Sequence, residues 1–159
     1  MSVVKSKRTE SKLEVLHNAE NLTREVSALT ARRFGIYSKK SPLRQGYTSL
    51  LRKGMDLDHV DRIIDAYVDK VYFSAIDISG YLHSADSIYP KSIEDLQLRR
   101  EYQNKAIAEC RRLRSYLHNI VNMFDVDILV FENTVTVLDR ELSLIKRWRT
   151  SDNKFKGMF

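Results

Sequence analysis

Arg100, Arg111, Arg114 and His118 follow one another at steps of eleven, three and four residues, which on a helix places all four on one side. Guanidinium groups in such a row offer several donors each to an anion, so the stripe can meet phosphates spaced along a nucleic-acid backbone. Tyr102 and Tyr116 on the same helix are rings on which a base could stack. A solvated Arg-rich face would carry the same pattern, and this helix alone leaves the two readings open. Residues 26–55 move the balance: these thirty residues hold Arg32, Arg33, Lys39, Lys40, Arg44, Arg52 and Lys53 and no Asp or Glu. Since those seven charges exceed the net +6 of the whole chain, the basic balance is concentrated in particular places, as on a polyanion-binding surface.

The sign of the charge then alternates along the chain. Residues 56–95 sum to −6, 96–124 to +4, 125–145 to −4 and 146–159 to +4, which suggests separate faces for separate partners. Asp58, Asp61, Asp65 and Asp69 form an acidic stripe at helical spacing. Like charges one turn apart cost a few tenths of a kcal/mol per pair, so a compensating base is expected. It could come from Arg100, Arg111 and Arg114 of a neighbouring subunit, which head to tail would close a ring, or from a basic partner protein. A solvated acidic face is the plainer alternative.

Catalytic and metal chemistry find little footing. Arg112 and His118, separated by five residues, fit the loose Arg-x4-6-His pattern of the HEPN ribonucleases, in which the pair handles phosphate charge and proton transfer at a scissile RNA linkage. Leu113 stands where that family usually has a polar residue, and on a regular helix Arg112 projects away from His118. Glu14 and His17 make half of a di-iron bundle motif with no second Glu-x-x-His to match. There is no Gly-rich phosphate loop, zincin motif or nucleophile elbow. No catalytic residue, metal or cofactor is therefore assigned.

These side chains need a scaffold, and the composition points to helices. Two Pro and five Gly in 159 residues leave little punctuation for a many-turned β fold. One domain of this length can bury roughly 68–70% of its unfolded surface. The lone Cys110 allows no intramolecular disulfide. With no apolar run of membrane-spanning length and no leader pattern, the expected location is the cytoplasm.

Four apolar stripes recur at helical spacing, in steps of three, four or, once, seven. They are Val15, Ala19, Leu22, Val26 and Leu29; Val60, Ile64, Tyr67, Val71, Ile78 and Leu82; Ala106, Cys110, Leu113, Leu117, Ile120 and Phe124; and Ile128, Phe131, Val135, Leu138, Leu142 and Ile145. They predict an all-α fold, an antiparallel four-helix bundle with a long connection over 35–57, where Leu43, Tyr47, Leu50 and Leu51 could form a short extra helix. Ser11 with Glu14 is read as the first cap, Asp58 as the second and Ser92 as the third. The polar, basic ends, 1–9 and 150–159, are expected to be mobile.

In order along the chain, Ser2-Val3-Val4-Lys5-Ser6-Lys7-Arg8-Thr9-Glu10-Ser11-Lys12-Leu13, Ser84-Ala85-Asp86-Ser87-Ile88-Tyr89-Pro90, Leu98-Arg99-Arg100-Glu101-Tyr102-Gln103 and Ile145-Lys146-Arg147-Trp148-Arg149-Thr150-Ser151-Asp152 resemble the accessory variability determinant family of diversity-generating retroelements. These are small four-helix proteins similar in fold to ribosomal intervening-sequence proteins. The resemblance implies a non-catalytic, basic, barrel-like homopentamer that binds the retroelement's reverse transcriptase and its structured template RNA, with the cDNA as a further nucleic-acid partner, in mutagenic retrohoming. It also implies nucleic-acid contacts through Arg99, Arg100, Arg147 and Arg149. The long 35–57 connection departs from the family's more direct passage and makes Lys39, Lys40, Arg44, Arg52 and Lys53 a candidate RNA grip of this lineage. The alternatives are the ribonuclease and a bundle that binds proteins only.

Overall fold

The computed structural model describes the backbone of residues 2–36 and 53–159, with side chains from residue 14 onward. The described residues form four long helices, α1 (Ser2–Ala31), α2 (Leu57–Asp86), α3 (Ile93–Met123) and α4 (Glu132–Ser151), with short 3-10 turns at Arg33–Gly35, Ile128–Phe131 and Asp152–Met158. No strand occurs among the described residues.

The helices start where side chains can satisfy their first amides. Asp56 Oδ1 accepts from His59 N at 2.8 Å, so the cap of α2 is Asp56, and Asp58 sits in the first turn, where the helix dipole favours its charge. Ser92 Oγ accepts from Asp95 N at 3.1 Å and Asp95 Oδ2 accepts from Lys91 N at 3.0 Å, a reciprocal cap that fixes the start of α3. The first helix begins at Ser2, so Ser11 lies inside it and does not cap it.

The periodic residues make the core. Val15, Ala19, Leu22, Val26 and Leu29 of α1 meet Val60, Ile64, Val71, Ile78 and Leu82 of α2, Ala106 through Ile120 of α3, and Leu138 and Ile145 of α4 in one buried cluster. Each helix packs on two others: α1 on α2 and α4, and α3 on α2 and α4. Tyr67, Val135 and Leu142 are half-buried at its margin. Ile128 departs from its expected place: it precedes α4 in a 3-10 turn, capped where Asp127 Oδ1 accepts from Leu129 N at 3.0 Å, and is 67% exposed.

Both ends of the bundle are closed by side chains of unexpected role. After α1, Arg33, Phe34 and Gly35 all take positive φ (49°, 58° and 76°), which costs each non-glycine residue roughly 1–2 kcal/mol. The strain is offset where Phe34 is fully buried with its ring stacked 6.1 Å from Phe131. At the other end the chain beyond residue 150, expected to be mobile, is docked: Asp152 and Phe155 are buried beside Trp148.

Candidate nucleic-acid interface

The α3–α4 seam gathers four of the nine described basic residues that the sequence singled out: Arg100, Arg111, Arg114 and Arg149. Eleven residues make just over three turns of helix, so Arg100 lies nearly in line with Arg111, and Arg114 and His118 continue the row over roughly 27 Å from Arg100 to His118. Packing of α4 alongside brings a second row to it. Arg100 bonds Asn153 just beyond α4, Arg149 Nη1 donates to Asn104 Oδ1 at 2.8 Å, and Arg114 pairs with Asp139. The α4 numbers fall as the α3 numbers rise, so the rows interleave along the seam.

Charge on this seam is largely uncompensated. Arg111 is exposed and has no ion pair among the described residues. The Nε of Arg100 is covered and finds no acceptor. Lys146, one turn before Arg149 and exposed, adds another cation at helical spacing. Sequence reasoning took only Arg147 and Arg149 from this segment, although the offset of three from Arg149 is a signal that would have placed Lys146. The asparagines 104 and 153 were missed for a different reason: their role is to hold the arginines extended, which depends on a neighbour distant in sequence.

Other candidate residues fall elsewhere. Arg99, expected to touch nucleic acid, is buried: its Nε and Nη2 donate to the two carboxylate oxygens of Asp152 at 2.7 and 3.0 Å, and its Nη1 to the Ile88 carbonyl at 2.9 Å. It cannot reach a ligand. Arg33 is likewise spent within the chain, on Asp65 and, at 3.4 Å, on Asp61. Thus for Asp61 and Asp65 the compensating base expected from another molecule comes from the same chain; Asp69 is exposed on α2 with no ion pair among the described residues.

Arg32 and Arg147 are exposed away from the seam. Lys53 lines a cavity with Tyr67, Asn119 and Asn122, and Asn122 bonds His118 at 3.0 Å, so Lys53 stands close to the far end of the basic row. Lys39, Lys40, Arg44 and Arg52, and the possible short helix over Leu43 to Leu51, lie outside the described residues.

The ribonuclease pair is not brought together. Arg112 lies on the α2 side of α3, 3.4 Å from Glu109, whose own carboxylate accepts from Ser74 Oγ of α2 at 2.9 Å. His118 faces the α4 side, beside Arg114, over a small cavity lined by Leu117, Ile128 and Val135. Cys110 is also unsuited to chemistry: burial first, then the nearby Glu141 and Glu109 carboxylates, push its thiol up to about 12, leaving it protonated and inert.

Among the described residues no three His, Cys, Asp or Glu side chains are grouped to hold a metal, and no helix is long and apolar enough to cross a membrane. No family model, curated protein or solved structure matches this chain.

Proposed function

We propose that this protein is a non-catalytic accessory subunit that binds structured RNA, and the cDNA copied from it, together with a reverse transcriptase, as the resemblance to the accessory variability determinant family implies. It works in the cytoplasm as a ring-like homo-oligomer of antiparallel four-helix bundles, a pentamer by the same resemblance. The observation that carries the nucleic-acid half is the α3–α4 seam, where Arg100, Arg111, Arg114, Lys146 and Arg149 line a rigid edge with Asp139 as the carboxylate paired into it. Helix-borne cations in two interleaved rows suit the regularly spaced phosphates of a folded RNA, and A-form helices are read by backbone and shape more than by sequence. The separation of Arg112 from His118 across α3 favours binding over cleavage.

Salt dependence tests this. Each phosphate contact releases condensed counterions, so replacing Arg111, Arg114 and Lys146 together by Ala should lower the log–log salt slope of RNA binding by about two to three. The replaced side chains are exposed, so the fold is expected to survive. An unchanged slope in a folded variant would remove the seam from the interface.

A further inference from the structure

One feature of α2 serves neither the core nor the basic seam. Besides its inner stripe, this helix carries a second row at the same spacing on its outer side: Ala66, Asp69, Phe73, Ile76 and Gly80, at steps of three and four. Phe73 is 58% exposed and Tyr72 and Ile76 40% each, with the two rings edge to face at 6.0 Å. A helix needs one apolar stripe to join a bundle, and a second, solvent-facing one marks a surface that another element covers.

The shape of this row fits a helix. Ala66 and Gly80 stand one heptad before and after Phe73, so a large knob is flanked by two hollows, the relief into which the side chains of a crossing helix interlock. At Gly80 the helix surface is bare and open: a Cβ built there would meet nothing within 4 Å.

The charge around the row selects the occupant. Asp69 within the row and Asp77 beside it are exposed and have no ion pair among the described residues; the bases on this helix are Lys70 and, one turn before Ala66, Arg62, against six aspartates between Leu57 and Asp86. Asp65, one turn from Asp69, already pairs with Arg33. An acidic partner would gain apolar contact only against repulsion, whereas a basic one gains both.

We propose that the outer face of α2 is a docking surface for a basic amphipathic helix of a partner protein, with Phe73 and Ile76 as its apolar anchors and Asp69 and Asp77 as its charged rim. This deepens the protein-partner half of the function proposed above, and its test does not pass through RNA, so either can fail without the other.

The probe is a fluorescently labelled model helix of leucine and lysine in an amphipathic pattern, compared with its leucine and glutamate counterpart. The wild-type protein should bind the lysine helix at least about tenfold more tightly, a difference of ~1.4 kcal/mol. Phe73→Ser with Ile76→Ser should weaken that binding about tenfold or more, and Asp69→Lys with Asp77→Lys should reverse the preference. All four positions are exposed, so circular dichroism should be unchanged. Absence of binding, equal binding of the two helices, or indifference to both pairs of substitutions would overturn the proposal. A fall in the oligomer's mass on Phe73→Ser with Ile76→Ser would also overturn it, because the occupant would then be a second copy of this chain.

Discussion

Asp152→Ala should cost about 3–5 kcal/mol of folding free energy, the usual loss when one partner of a buried ion pair is removed and the other stays buried. Asp152 is 1% exposed, and its carboxylate accepts from Arg99 twice and from Gln103 Nε2 at 2.8 Å. Arg99 in turn lies over the Trp148 ring, 4.9 Å from its centroid, and 5.9 Å from that of Phe155, and bonds the Ile88 carbonyl. One guanidinium thereby ties the α2–α3 connection, the start of α3 and the segment after α4 into a single corner. With Asp152 gone, that cation keeps its apolar surroundings and loses its counter-charge.

The double variant Arg99→Met with Asp152→Leu should recover most of the loss, since well-packed apolar pairs replace buried ion pairs at little cost. Urea unfolding of the two single variants and the double gives the coupling energy directly. The double variant should also bind RNA as the wild type does, because Arg99 does not reach the surface. Additive losses would mean that the corner is held by packing alone.

Glu141 should make the protein less stable as the pH rises, the second large effect. Its carboxyl is fully buried between α1 and α4; Oε2 accepts from Asn18 Nδ2 at 2.6 Å and Oε1 has no partner. Burial pushes its pKa up from the ordinary 4.5 to about 8, against the opposing pull of the Asn18 hydrogen bond and Arg140. The native state therefore holds a proton that the unfolded state has lost between these values. Stability is fully present below about 4.5, declines through the window by up to about 1.4 kcal/mol per pH unit, and levels off above about 8.

Glu141→Gln removes the titration and should be the more stable protein at pH 8 by a few kcal/mol, with a smaller difference at pH 5. The comparison is made by urea unfolding across that range, taking the difference between the two proteins so that other groups cancel. Parallel pH profiles would show that Glu141 does not titrate in the window.

The fold was legible because core burial leaves a period behind. Apolar residues at steps of three and four gave α1, α2 and α3 their buried sides, and Ser92 marked the start of α3 by a local hydrogen bond that sequence spacing encodes. The same rule misplaced Ile128, because a 3-10 turn running into α4 keeps nearly the same spacing while turning that side chain outward. The basic row of α3 was equally legible, since Arg100, Arg111, Arg114 and His118 need only one helix to define them.

What the sequence hid were pairings across long separations. Arg99 and Arg100 are adjacent and identical in type, yet one is buried on Asp152 and the other lies at the seam. The difference is set by a carboxylate more than fifty residues away, in a tail whose polar composition reads as mobile. Arg33 likewise sits in an acid-free stretch, and its partners Asp61 and Asp65 are reached only after the chain has returned along α2. Local charge counts report where basic residues are dense; which of them remain available is decided by tertiary contact.

The measurement that bears most directly on the central claim is a titration of labelled structured RNA at low and moderate salt, recording the mass of the bound species and running the same RNA on a denaturing gel. Intact RNA, held by an oligomer whose affinity falls steeply with salt, is the result this account predicts. No binding at low salt, or cleavage of the RNA that His118→Ala abolishes, would contradict it.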